Sequence, residues 1–448
     1  FGEGKSSAKI EAFIGDFIFD PRYQGAGSSV VNATMLEKPL DAINASGLNV
    51  VGVEKGFKRY GGKSGGLLKK ALKVAKKADK VVVYLGLDEV TEAEGLDRTN
   101  MKLSDNQIAL VDELIKLNKK VVVVLSCGAA VELPFADKVD GLLHAYLSGQ
   151  AGASAVLNVL TGKVNPSGKL AETYPVKLDD VASMDNFPSL KRTIEYREAY
   201  GIGYRYFEKA KVAVRYPFGY GLSYTSFEYS DLKVNNDGAT LKVKNIGKVL
   251  GKETVQLYVG LDKSNIIRPL KELKGFAKVE LKPGETKTVE IKFDDKTFRY
   301  FNTKTNKWEV EEGEYTVYVG KNSRDIALTQ TLKVKGTTKE FPYALKDLPT
   351  YASGNLRKIP DEEFKLLLGR DIPNGEVPFI NKRKTRIIVD YNTTVIELRY
   401  AKGWAGRLFS GAIRFAIGFM KFFGNKTLAN TLIMGVRHQP MRGLTRIS

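Results

Sequence analysis

Val81-Val82-Val83-Tyr84-Leu85 and Val121-Val122-Val123-Val124-Leu125 are two unbroken apolar runs, and between them lies Asp105–Leu117, where Ile108, Leu110, Val111, Leu114 and Ile115 recur at helical spacing. A strand that is apolar at every position has no face left for water. It belongs inside a parallel sheet covered by helices on both sides. Neighbouring segments extend the pattern. Lys9–Ile14, Leu48–Val53 and Gly141–Ala145 read as further strands, and Gly66–Ala78 reads as a helix with Leu67, Leu68, Ala71, Leu72, Val74 and Ala75 on one broad face. Residues 1–225 are thus expected to form a mostly parallel α/β sandwich domain, with function on the loops at the carboxyl ends of its strands.

Beyond residue 225 the period changes. Ala239–Val243, Thr254–Val259, Thr288–Phe293 and Tyr315–Val319 are short strand-like runs. They are punctuated by Asn235-Asn236-Asp237-Gly238, Pro283-Gly284-Glu285 and Glu311-Glu312-Gly313-Glu314. This spacing predicts a β-sandwich of the immunoglobulin or fibronectin type over 226–336. Residues 337–448 form a third, mixed part. Pro342, Pro349 and Pro360 mark a linker or wrapping segment, Arg386–Val389 a short strand, and Gly403–Phe423 an amphipathic helix. Arg407, Arg414 and Lys421 recur along that helix at seven-residue spacing, which sets them near one face with apolar residues opposite. Such a helix packs on a neighbouring domain or subunit; a membrane surface is the less favoured alternative.

Length and composition bound the rest. The 448 residues are 43% hydrophobic and 27% charged, an ordinary globular balance for two or three domains. The net charge of +19 comes from lysines scattered along the chain, with no zinc spacing, no aromatic RNA-binding motif and no long basic block. That reads as a lysine-rich surface rather than a nucleic-acid site. The single cysteine, Cys127, excludes an intrachain disulfide and reads as a small core residue. The two histidines, His144 and His438, have no partners at metal-ligand spacing, so neither metal nor cofactor is expected. No apolar run reaches the roughly 18 residues of a membrane-spanning helix. The chain opens on Phe1 with no readable signal peptide, as a processed or fragmentary chain would. Localisation stays open, with the cytoplasm slightly favoured.

The chemistry-bearing stretch is Thr91-Glu92-Ala93-Glu94-Gly95-Leu96-Asp97-Arg98, directly after the strand Val81–Leu85. Two glutamates on a loop past a buried strand have the mobility a general acid needs. By themselves such residues are usually a solvated loop. Four further clusters follow. They are Leu147-Ser148-Gly149-Gln150-Ala151-Gly152, then Asn165-Pro166-Ser167-Gly168-Lys169-Leu170, then Gly203-Tyr204-Arg205-Tyr206, and Pro217-Phe218-Gly219-Tyr220-Gly221-Leu222-Ser223-Tyr224-Thr225.

Together and in this order, with Ile14-Gly15-Asp16 and Pro21-Arg22-Tyr23-Gln24-Gly25-Ala26-Gly27-Ser28-Ser29 ahead of them, these motifs resemble the C-terminal α/β domain and fibronectin type III-like domain of glycoside hydrolase family 3. The resemblance covers residue 8 to about 335. It implies part of a retaining, exo-acting β-glycosidase, most simply a β-glucosidase, hydrolysing O-glycosyl bonds of a carbohydrate substrate. It implies that the acid/base is Glu94, just before the glycine of Glu-Gly-x-Asp-Arg. Glu92 is the alternative because this loop varies in length across the family. Asp97 and Arg98 are expected to pair and support the loop. In the family the nucleophile is an aspartate on a (β/α)8 barrel, in a Ser-Asp-Trp-like motif. Here the tryptophans are Lys307-Trp308 and Gly403-Trp404, and no eightfold strand–helix pattern of about 250 residues is present. The expected partner is therefore a barrel domain or subunit carrying the nucleophile. A non-catalytic carbohydrate-binding or interaction protein built on the same fold is the competing expectation.

Overall fold

A computed structural model describes residues 9–28, 30–187, 189, 193–373, 386–423, 428–429 and 432–444. Ser29 of the Pro21–Ser29 run lies outside the described residues. The chain divides into two compact units that do not follow chain order. One comprises Phe1–Leu160, Leu190–Arg192 and Glu376–Ser448; the other comprises Thr161–Ser189 and Thr193–Gly375.

The first unit is built on strands β1 (Glu11–Ile14), β2 (Val50–Glu54), β3 (Lys80–Gly86), β4 (Lys120–Ser126) and β5 (Gly141–His144). They form one parallel sheet in the order β2-β1-β3-β4-β5. Helices α1 (Pro39–Ala45), α2 (Gly65–Ala75), α3 (Asp105–Ile115) and α4 (Gly152–Leu160) connect or flank the strands. β3 is buried at every position and β4 at its five central ones, which is why both read as continuous apolar runs. The strand order reverses between β1 and β3. In open α/β sheets ligands bind outside the carboxyl ends of the strands at such a switch point. Gly15 ends β1 with φ of 144°, and a Cβ there would lie 2.2 Å from the Tyr84 carbonyl oxygen. Only glycine lets β1 leave the sheet so close to β3.

In the second unit, β6 (Tyr174–Pro175) pairs with β7 (Val214–Tyr216), and helix α5 (Tyr204–Lys209) lies between them in sequence. The sandwich follows. Strands β8 (Phe227–Asn235), β9 (Gly238–Asn245) and β12 (Thr286–Lys292) form one antiparallel sheet in the order β12-β9-β8. Strands β10 (Gly251–Gly260), β11 (Glu272–Leu281), β15 (Gly313–Gly320) and β16 (Ile326–Val334) form the other in the order β11-β10-β15-β16, and β13 (Arg299–Asn302) pairs with β14 (Lys307–Val310). Alternate residues point inward: Leu241 and Val243 meet Val255, Leu257, Val317 and Val319 in one apolar core. Leu257 is fully buried in that core. Leu257→Ala is expected to cost about 2–5 kcal/mol, read as a lower denaturant midpoint for this unit at unchanged slope.

The proline-marked stretch after 337 is structured. Pro349 starts helix α6 (Pro349–Ser353), and helix α7 (Asp361–Leu368) follows. Tyr351, Leu356 and Phe364 pack with Tyr206, Phe207 and Ile267. The carboxylate of Glu363 accepts from the Thr350 N–H at 3.0 Å and so caps α6.

In the returning C-terminal segment the strand expected at Arg386–Val389 is absent; only an isolated bridge, Ile387 to Ala401, forms there. A run of three apolar residues, Ile387–Val389, with no second strand beside it among the described residues has no ladder to join. Helix α8 (Trp404–Phe422) does form. Its Ile413, Ile417 and Met420 pack inward with Leu96, while Trp404, Leu408, Phe415, Phe419 and Phe422 stay exposed on the other side. A last short helix, α9, spans Met441–Leu444. Among the described residues no helix is long and apolar enough to cross a membrane.

Candidate active site

The loops leaving β1 and β3 at the switch point meet each other. Asp88 opens the second loop: its Oδ1 accepts from the N–H groups of Val90 and Thr91, each at 2.8 Å. That turn carries Glu89, Glu92 and Glu94 into three different settings.

Glu92 is held on all sides. Arg22, 3% exposed, donates from Nη1 to Glu92 Oε2 at 2.7 Å and from Nη2 to the Glu92 carbonyl at 2.8 Å. The same Nη1 also reaches the Leu87 carbonyl at 2.7 Å. Gly128, after β4, donates its N–H to Glu92 Oε2 at 2.9 Å. Glu89 is bound by Arg59, whose Nε reaches Oε2 at 3.1 Å and whose Nη2 reaches Oε1 at 2.5 Å. Burial opposes the charge on Glu89, but Arg59 outweighs it and holds the carboxyl below its ordinary pKa. Bidentate arginine pairing of this kind fixes geometry as well as charge.

Glu94 differs. It is exposed, and its partner is Ser28 on the β1 loop, which donates to Oε2 from its hydroxyl at 2.5 Å and from its N–H at 2.6 Å. The Glu94 N–H in turn donates to the Ala26 carbonyl at 2.9 Å. Both Ser28 donors favour the ionised form and hold the Glu94 carboxyl below its ordinary pKa. Gly27 makes the contact possible. Its φ is 121°, and a Cβ there would sit 2.6 Å from Glu94 Cβ. A cleft of about 730 Å3 opens here, lined by Arg22, Gln24, Gly27, Ser28, Glu89 and Glu94 among others.

Asp97 and Arg98 do not pair with each other among the ion pairs of the described residues. Arg98 turns toward the more enclosed Glu92, at 4.0 Å, and toward the Ala130 carbonyl at 3.4 Å. Burial and then the neighbouring Arg437 lower the His438 imidazole's pKa, and the charge of Asp97 partly offsets them. The loop is thus anchored chiefly by Arg22. That residue appeared in sequence only as part of the Pro21–Ser29 motif, with no role attached. Arg59 had no sequence signal beyond a lone arginine in a polar stretch. Cys127 is fully buried, and burial followed by the nearby Glu92 pushes its thiol up to about 12, so it is no nucleophile at neutral pH. His144 is stacked on Tyr146 and its Nε2 lies 3.1 Å from the Cys127 carbonyl. No group of three or more acidic, histidine or cysteine side chains suited to a metal occurs among the described residues.

Residues 5–224 match the model of the glycosyl hydrolase family 3 C-terminal domain, and residues 253–323 match that of the fibronectin type III-like domain. Thermostable β-glucosidase B of Acetivibrio thermocellus is 45% identical over 346 residues, covering 75% of this chain and 46% of the relative. An exo-α-(1→6)-L-arabinopyranosidase of Bifidobacterium breve is 37% identical over 409 residues, covering 85% of this chain and 54% of the relative. The crystal structure of a Bifidobacterium adolescentis GH3 β-glucosidase superimposes with a TM-score of 0.71 at 40% identity, covering 75% of this chain and 50% of that one. The chain spans about half the length of the curated relatives it matches. By its two matched domains, in this order and on this fold, the chain belongs to glycoside hydrolase family 3.

Proposed function

We propose that this chain is the acid-bearing part of a retaining, exo-acting β-glycosidase, acting on β-glucosides or closely related glycosides. Glu94 is the general acid/base. The nucleophile is an aspartate on a (β/α)8 barrel supplied from outside these residues. The observation that carries this reading is the sorting of the three loop glutamates. Glu89 and Glu92 are neutralised by Arg59 and Arg22, and Glu94 alone of the three is exposed, with only serine donors, in the cleft at the switch point.

In the first step the barrel carboxylate attacks the anomeric carbon and the glycosidic C–O bond breaks. The Glu94 carboxyl gives its proton to the departing oxygen. In the second step the Glu94 carboxylate takes a proton from water, whose oxygen attacks the anomeric carbon and releases the barrel aspartate. For the first step Glu94 must be protonated, yet Ser28 lowers its pKa in the open cleft. Covering the cleft with a barrel removes water from the carboxylate and raises that pKa. Loop support comes from Arg22 and Arg98, and the β-sandwich is structural.

The chain by itself is expected to hydrolyse p-nitrophenyl β-glucoside at no measurable rate, and to do so once joined to a barrel carrying the nucleophile. Robust turnover by these 448 residues alone would overturn the assignment of the nucleophile to another segment.

A further inference from the structure

The cleft around Glu94 has a wall that neither matched domain supplies. Gly435 and Gln439 line it together with Glu94 and Gly95, and both lie far beyond residue 323, where the fibronectin-like match ends. Two sets of contacts hold that wall in place. On its outer side the segment is laced to residues 391–396. Val395 donates its N–H to the Gln439 carbonyl at 3.1 Å, Ile396 to the Arg437 carbonyl at 3.0 Å, and the Met441 N–H reaches the Thr393 carbonyl at 2.9 Å. On its inner side Ile433 joins Ile417 and Ala429 in an apolar cluster, and Leu96 of the acid loop packs against it. The loop that carries Glu94 and the C-terminal segment are therefore one packed body.

We infer that the C-terminal segment forms the leaving-group side of the acid's cleft, with Gln439 a specificity-determining residue for a polyhydroxylated leaving group. This rests on the reading of Glu94 as the acid. A general acid lies against the oxygen that joins the glycone to the leaving group. If the barrel holds the glycone, the groups of this chain that flank Glu94 face the other partner. A carboxamide offers two donors and an acceptor, the set that matches vicinal sugar hydroxyls. Gly435 keeps the opposite end of that wall open: a Cβ built on it meets nothing within 4 Å.

The test compares two substrates that share a glycone, in the enzyme that joins this chain to its barrel. Cellobiose has a sugar as leaving group; β-glucosyl fluoride has a single atom. Gln439→Ala is expected to lower kcat/KM for cellobiose about 3- to 10-fold, the value of one lost hydrogen bond, and to leave glucosyl fluoride within about twofold. Gly435→Leu puts bulk into the cleft from a position where a Cβ meets nothing within 4 Å, and is expected to raise KM for cellobiose selectively. Equal losses on both substrates, or unaltered cellobiose turnover in both variants, overturn the inference. Failure of the acid reading shows separately, as a Glu94→Gln enzyme that still turns over cellobiose normally. A cellobiose-selective loss in Gln439→Ala would then still place the leaving group against this wall.

Discussion

Glu94→Gln, in the enzyme that combines this chain with its barrel, is expected to lower kcat/KM for cellobiose by about 10²- to 10⁴-fold, the usual contribution of a positioned proton donor. The loss should depend on the leaving group. A 2,4-dinitrophenyl glucoside departs without a proton, so its first step proceeds, and the glycosyl-enzyme then accumulates because no base activates water. A burst of dinitrophenolate followed by a slow steady state is the expected trace. Azide, which needs no base, should relieve the slow phase and yield β-glucosyl azide. The pH–rate profile should also lose the limb that reports the acid.

Glu92→Gln serves as the control. Its carboxylate is taken up by Arg22 and the Gly128 N–H, so the expected damage is a looser loop, with similar losses across leaving groups. If Glu92→Gln gave the leaving-group dependence and azide relief while Glu94→Gln did not, the assignment within the loop would be reversed.

The fold was legible wherever burial acts on both faces of an element. Val81–Leu85 and Val121–Leu125 show as strands because nothing polar can be tolerated at any of their positions. The Asn235–Gly238 turn was legible because Asn236-Asp237, turn-forming residues, make the two-residue loop of the β8–β9 hairpin, in which Asn235 pairs with Gly238. Strands β8, β11, β13, β14 and β16 of the sandwich were not read from the sequence. In β11 and β16 nearly every position is exposed or half-exposed; in β11 Phe276 is exposed and only Leu281 is buried, so neither shows a clean apolar face. Helices α6 and α7 were hidden by prolines that start helices as readily as they end them.

At the site, sequence order brought Glu92 and Glu94 to attention but could not separate them. What separates them is a residue about 70 positions away, Arg22, which reaches Glu92 only because the strand order reverses between β1 and β3. The Asp97–Arg98 pairing failed for the same reason. Adjacent opposite charges suggest a pair, yet Arg98 gains more from the partly enclosed carboxylate of Glu92, 18% exposed, than from a solvated neighbour.

Arg22 therefore has a large expected effect on stability, and the chain itself suffices to measure it. The side chains of Arg22 and Glu92 are 1% and 18% exposed. Removing one partner of an enclosed pair leaves the other charge uncompensated, at a cost of about 3–5 kcal/mol. Arg22→Met should accordingly lower the stability of the first unit by about 3 kcal/mol, or about 6–12 °C in its melting temperature. The double variant Arg22→Met/Glu92→Gln removes both charges of the Arg22–Glu92 pair. Its glutamine oxygen can still accept from the Gly128 N–H. It should recover more than 1 kcal/mol relative to the sum of the single changes, the coupling expected of groups in direct contact. Strict additivity would mean that Arg22 stabilises the unit through packing alone and does not hold Glu92. The coupling also bears on catalysis. Arg22 ties the β1 loop, which carries Gly27 and Ser28, to the β3 loop, which carries Glu94. In Arg22→Met the Ser28 donors should no longer stay on the Glu94 carboxylate, so its pKa should move up toward the ordinary value. An NMR titration of Glu94 reads that shift, and an unmoved titration would show that the two loops stay together without the ion pair.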